Sequence, residues 1–248
     1  MAIDLQSISS GGTDRAPIMV LHSPPGLGKT TFAASAPNPI FIRTEDGLGG
    51  LQVDTFPEMQ TIGDVMEALA ALYEPNPYQT VVVDSLSALE PMIWNQVAQD
   101  QGKKSIEDIG FGKGYIFAMD YWRDLMQALR GLAKQGVMPV LIAHTDIVRF
   151  DSPETDPYDR FQIKLHKRAF QYLYEQSDII GFASYPVHVR KQDSDDRKGR
   201  GVQKGERMLS LVERPALVAK NRYSMPETVP LDWDAFAEHL PNYTRKEG

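Results

Sequence analysis

Leu21-His-Ser-Pro-Pro-Gly-Leu-Gly-Lys-Thr-Thr31 decides how the rest of the 248-residue chain is read. A short apolar run, Pro17 to His22, leads into it, and the helix-compatible residues Lys29 to Ala36 follow until Pro37. Strand, glycine loop and helix in that order make a phosphate cradle, because successive backbone N–H groups turn inward at a helix N-terminus, where the dipole also favours anions. The expected cradle is Ser23, Pro24, Pro25, Gly26, Leu27, Gly28, Lys29, Thr30 and Thr31. Gly26 and Gly28 supply backbone freedom, Lys29 reaches the β- and γ-phosphates of ATP, and the Thr30 hydroxyl ligates Mg²⁺. Ser23 stands where the pattern has its first glycine, a place a small residue with negative φ can fill.

Outward from the loop the same alternation continues. Ile40 to Ile42 reads as a strand, Ile62 to Tyr73 as an amphipathic helix, and Thr80-Val-Val-Val-Asp84 as a buried strand. Buried strands alternating with helices predict an α/β fold with a mostly parallel, doubly wound sheet. Asp84 then emerges at a strand's C-terminal end, the edge where open α/β sheets bind ligands, and is the second metal-binding candidate. Glu45 follows the strand ending at Thr44 and is the candidate for orienting or deprotonating water, with Asp46 as its neighbouring rival. His144, after the predicted strand Val137 to Ala143, is a candidate sensor of the γ-phosphate. Tyr115, Met119, Trp122, Met126 and Leu129 recur at helical spacing and read as core. Beyond them, Ile179 to Ala183, Val187 to Arg190, Met208 to Val212 and Ala216 to Ala219 read as short strands of an antiparallel C-terminal extension.

The chain has no cysteine, which excludes disulfides and thiolate metal sites. Met1 to Thr13 lack a signal-peptide pattern, and no run approaches the ~18 apolar residues of a membrane span. A soluble, cytoplasmic protein is expected. Net charge is −7, but residues 101–222 carry 21 basic and 16 acidic side chains while residues 1–100 carry 3 and 12. A local cationic surface is compatible with that asymmetry. Gln99 to Gly114, His144 to Arg160 and Lys191 to Glu206 read as loops of a single domain spanning residues 1–248, with tails at 1–16 and 241–248.

Thr80-Val-Val-Val-Asp-Ser-Leu-Ser-Ala-Leu89 resembles the magnesium-binding strand of RecA-type recombinases. Ile40 to Glu45 is similar to that family's strand ending in the catalytic glutamate, and Ala219-Lys-Asn-Arg222 to its Lys-Asn-Lys segment. With Phe111 to Gly114 and Tyr158 to Arg160, the set looks like the core-only RecA-like P-loop ATPases of bacteriophages, single-strand annealing proteins among them. The resemblance implies a homo-oligomer, filament or ring, in which Lys220 and Arg222 reach a neighbour's ATP. It also implies two loops that hold single-stranded DNA. The first is Gln99 to Gly114, with Lys103, Lys104 and Lys113; the second is His144 to Arg168, with Arg149, Arg160, Lys164, Lys167 and Arg168. Phe111, Tyr158 and Phe161 are aromatics available for base stacking. A motor or loader acting on a protein or duplex DNA, and a small-molecule kinase with Lys191 to Glu206 as its lid, are the competing readings.

Overall fold

In the computed structural model of the chain, residues 15–190, 200–203 and 205–241 are described. The strands β1 (Met19–Ser23), β2 (Pro39–Arg43), β3 (Asp54–Thr55), β4 (Thr80–Asp84), β5 (Met138–Phe150), β6 (Tyr158–Ile163) and β7 (Ile179–Ser184) come first. They are followed by β8 (Val187–Arg190), β9 (Arg200–Gln203), β10 (Met208–Ser210), β11 (Lys220–Asn221) and β12 (Thr228–Pro230). The main sheet runs β12-β10-β7-β1-β5-β4-β2-β3, parallel from β7 through β3 and antiparallel at β10 and β12. This is the expected α/β architecture with its antiparallel extension. The central strands are runs of Val, Ile, Leu and Met because helices cover both faces: every residue of β1 and of β4 is buried.

The helices are α1 (Lys29–Ala34), α2 (Ile62–Ala71), α3 (Leu86–Asp100), α4 (Lys113–Lys134), α5 (Lys167–Gln176) and α6 (Trp233–Ala237). Thr61 and Asp64 form a reciprocal capping box that starts α2, and the Ser85 side chain caps α3 by accepting from Ala88 N–H. The apolar stripe of α4 is core as read: Met119, Trp122, Met126 and Leu129 are buried, and Tyr115 packs against them half-buried. No helix among the described residues is long and apolar enough to cross a membrane.

Four expectations are corrected. His144 to Arg160 is not a loop: β5 runs on to Phe150 and pairs antiparallel with β6, Thr145 opposite Ile163 and Phe150 opposite Tyr158. The β-branched and aromatic residues within 145–150 and 158–163 drive this pairing, and the Pro- and Asp-rich stretch 151–157 is only its tip. Lys167 and Arg168, assigned to the same loop, begin α5. Ala216 to Ala219 is not a ladder strand: Arg214 and Leu217 close a tight turn around Pro215, and pairing with β7 begins only at Lys220. Arg15 and Ala16, expected in the N-terminal tail, are built into the fold, Arg15 through an ion pair to buried Asp178. Most of the expected Lys191 to Glu206 loop, residues 191–199 and 204, lies outside the described residues, as do the tail residues 1–14 and 242–248. Within that expected loop Arg200–Gln203 is the strand β9, which pairs antiparallel with β8 as a separate hairpin.

Candidate nucleotide site

The loop after β1 curls back on itself through two left-handed residues, Gly26 at φ +78° and Gly28 at φ +89°. A side chain is strained in either conformation, which is why glycine stands there. Lys29 lies against the start of the loop, its Nζ donating to Ser23 Oγ at 3.1 Å, Ser23 O at 3.2 Å and Pro24 O at 3.4 Å. Ser23 therefore replaces the pattern's glycine with a hydroxyl that holds the lysine. Burial lowers the Lys29 pKa, while the nearby Asp84 and Glu45 carboxylates work to raise it.

Opposite the loop stand the ends of β2 and β4 and the middle of β5, where its parallel pairing gives way to the hairpin. β5 lies between β1 and β4, so Ser23 is level with His144, and Asp84 with Arg43 at the end of β2. Thr30 Oγ1 donates to Asp84 Oδ2 at 2.8 Å. Burial raises the Asp84 pKa and Glu45 adds to this, against the Thr30 hydrogen bond, Lys29 and His144. His144 Nε2 donates to the Glu45 carboxylate at 3.1 Å. Glu45 is positioned by its neighbour Thr44, whose buried hydroxyl accepts Ser85 N–H at 2.7 Å and donates to Ser85 O at 2.7 Å, pinning the end of β2 to the end of β4. Asp46 is exposed on the same rim. A cavity of about 490 Å³ joins the loop, Glu45, Asp46, Asp84 and His144, and extends over the apolar side chains of Leu48 and Leu51.

The Thr30 hydroxyl and Asp84 carboxylate are adjacent hard oxygen donors beside an anion cradle. That donor set fits Mg²⁺, which keeps several waters and takes one or two protein oxygens plus phosphate. Among the described residues no cluster of three His, Asp or Glu side chains offers an all-protein metal cage.

Other expected residues lie elsewhere. Lys220 and Arg222 both reach Glu175 O, but β11 pairs with the beginning of β7, so they occupy the sheet edge opposite the loop. There Lys220 Nζ donates to Tyr174 O at 2.6 Å, and Arg222 donates to Glu175 O at 2.7 Å and Asp178 Oδ1 at 3.1 Å. Lys103, Lys104 and Lys113 are exposed, as are Lys164, Lys167 and Arg168. A stack of Tyr115 on His166, centroids 4.2 Å apart, joins the start of α4 to the start of α5 and so brings Lys113 into the neighbourhood of the second group. Arg149 faces Asp159 at 3.5 Å on the hairpin. Arg160 is not a free cation: it is 8% exposed, lies 4.9 Å over the Phe150 ring and pairs with Glu213. Phe161 stacks on Phe182 and Tyr158 packs on Phe150, whereas Phe111, between two glycines, is fully exposed with φ +58°.

Three supporting residues escaped sequence reading. The Ser87 hydroxyl accepts His144 N–H and donates to Lys164 O, linking His144 to the segment that carries Lys164, Lys167 and Arg168. Buried Glu90 accepts the His166 N–H with both oxygens, and burial pushes its pKa up to about 7 against that hydrogen bond. His22 donates from Nε2 to Val218 O at 2.9 Å and accepts at Nδ1 from Thr145 Oγ1 at 2.8 Å. Burial lowers its pKa to about 4, with the Val218 hydrogen bond opposing and Lys29 assisting. Only Glu90 stands as a lone polar residue among apolar neighbours, a pattern that signals a buried partner without saying which; Ser87 lies two residues from Ser85 and His22 next to Ser23, and neither gives such a signal.

No curated protein matches the sequence. Among solved structures, the crystal structure of the RadB recombinase is similar over 89% of this chain and 90% of its own, with 14% identity and a TM-score of 0.45. Residues 15–223 match the family described as the AAA domain, a span that takes in the phosphate loop, Glu45, Asp84, His144 and the Lys220–Arg222 segment. The chain belongs to this AAA-domain family and is a P-loop NTPase.

Proposed function

We propose that the protein is a Mg²⁺-dependent ATPase that assembles head to tail and binds single-stranded DNA, in phage recombination or replication in the bacterial cytoplasm. The observation that carries the ATPase reading is the Thr30–Asp84 contact of 2.8 Å, set between Lys29 and the Glu45–His144 pair in one cavity. Lys29 exchanges its bonds to Ser23 and Pro24 for β- and γ-phosphate oxygens. Thr30 and Asp84 hold Mg²⁺, whose charge offsets that of the phosphates. Glu45 orients the attacking water and accepts its proton, and the His144 Nε2–H fixes the carboxylate's direction. Leu48 and Leu51 offer an apolar seat for the base.

Lys220 and Arg222 lie on the edge opposite their own phosphate loop, so they serve only the loop of an adjacent copy. A repeated contact of that kind is heterologous and builds a ring or a filament. The DNA reading rests on the exposed cations at the starts of α4 and α5, with Phe111 as a stacking platform. Ser87 ties this surface to His144, so that occupancy of the nucleotide site and of the cationic surface bias one another.

The test is the ATPase rate with and without single-stranded DNA, read together with particle size. Stimulation accompanied by growth in size supports the proposal. Turnover that ignores DNA, in a protein that stays monomeric, refutes the DNA and assembly parts, and absence of turnover in wild type refutes the whole.

A further inference from the structure

β10 runs antiparallel to β7, with Met208 opposite Ser184 at the C-terminal end of β7. The residue before Met208 therefore emerges on the same sheet edge as the phosphate loop, two strands away from β1. That residue is Arg207. Its backbone is fixed by the extension, its carbonyl accepting Leu231 N–H at 2.8 Å. Its exposed side chain crosses to the loop, where Nη1 donates to Leu27 O at 3.2 Å. The guanidinium presses so closely on the glycine that follows that a Cβ built on Gly28 falls 2.2 Å from Nη1.

Nothing among the described residues accounts for a cation here. No carboxylate pairs with Arg207, and the Leu27 carbonyl is its one acceptor among them, leaving most of the guanidinium's N–H donors open. Lys29 already carries positive charge into the same loop. A second unpaired cation beside it is repelled until an anion arrives. The γ-phosphate end of the site is fixed by Glu45, Asp84 and His144, whereas Arg207 stands at Leu27–Gly28, on the cradle that receives the α- and β-phosphates.

We infer that Arg207 is a nucleotide-binding residue supplied in the same chain by the antiparallel extension, contacting the α/β-diphosphate common to ATP and ADP. This rests on the nucleotide reading of the loop. It separates the two basic contributions of the extension: Arg207 closes on the chain's own nucleotide, and Lys220 and Arg222 face away from it.

The experiment titrates ADP and ATP into wild type, Arg207→Gln, Arg207→Lys and, as reference, Lys29→Ala, by calorimetry with the full chain. Gln keeps a donor for the Leu27 carbonyl but no charge. The expected result is a loss of affinity in Arg207→Gln of about tenfold for both nucleotides, the size of one charge-assisted hydrogen bond, with most of it recovered in Arg207→Lys. Undiminished binding in Arg207→Gln, or a loss in Arg207→Lys as large as in Arg207→Gln, overturns the inference; the second outcome makes Arg207 a brace for the loop. If wild type itself binds neither nucleotide, the site reading fails first and this inference with it.

Discussion

His144 Nε2 donates to the Glu45 carboxylate at 3.1 Å across the sheet edge that carries the glycine loop, although 99 residues separate the two in sequence. β5 lies beside β4 and β4 beside β2, so the middle of β5 and the end of β2 that carry them are two strands apart, with Asp84 at the end of the strand between them. A carboxylate held this way has its direction set before water arrives.

Glu45→Gln keeps the shape and removes the proton acceptor. Its turnover should fall by about 10²–10⁴-fold with nucleotide affinity retained. His144→Ala should lower turnover less, and His144→Gln, which keeps a donor, should recover part of the difference. Steady-state ATPase assays alongside ADP titrations check this, and near-normal hydrolysis in Glu45→Gln would transfer the role to Asp46.

The structure divides the candidate DNA cations into two kinds. Replacing Lys113 and Lys167 together with Gln should weaken single-stranded DNA binding and flatten the slope of log K against log salt by about 1.4, or 0.7 for each phosphate no longer neutralised. Arg160→Ala should leave that slope alone and instead destabilise the fold by about 2 kcal/mol, since it strips a buried cation from Glu213 and the Phe150 ring. Fluorescence anisotropy across a salt series and urea denaturation separate the two.

Head-to-tail assembly predicts complementation. Lys29→Ala lacks a working loop, and the double variant Lys220→Ala, Arg222→Ala lacks the cations offered to a neighbour. Each alone should be inactive, while an equal mixture regains activity at roughly a quarter of its interfaces, where a sound loop meets sound cations. A mixture as inactive as its components would rule out the trans role.

His22 supplies a pH dependence of known sign. Its folded pKa, about 4, lies below the ordinary 6.5, so the unfolded chain takes up a proton that the folded chain refuses. The stability tied to neutral His22 is complete above pH 6.5 and is lost as pH falls toward 4. Between pH 7 and 5 the fall should be about 2 kcal/mol, and His22→Gln, which cannot titrate, should lack that component. Urea unfolding at both pH values measures it.

Spacing along the chain was enough to locate the cradle Ser23–Thr31, the strand Thr80–Asp84 and the core stripe of α4. Each depends on local rules: glycine for left-handed φ, unbroken apolar runs for strands covered on both faces, a 3.6-residue period for one buried helix face. The same rules placed Glu45 and Asp84 at strand ends, whereas His144, expected just past one, lies within β5 where its parallel pairing stops. They also misread residues 145–163, where turn-forming residues at 151–157 obscured a hairpin whose stability comes from its partner strand.

Only the tertiary structure decided which of Glu45, Asp84 and His144 meet, because sheet order, with β5 inserted between β1 and β4, is set by packing between distant segments. It likewise turned Arg160 from a surface cation into a buried one paired with exposed Glu213, sent Lys220 and Arg222 to the far edge, and brought Arg207 onto Gly28. Partners so remote in sequence leave no periodic trace; burial and strand register choose them once the chain has folded.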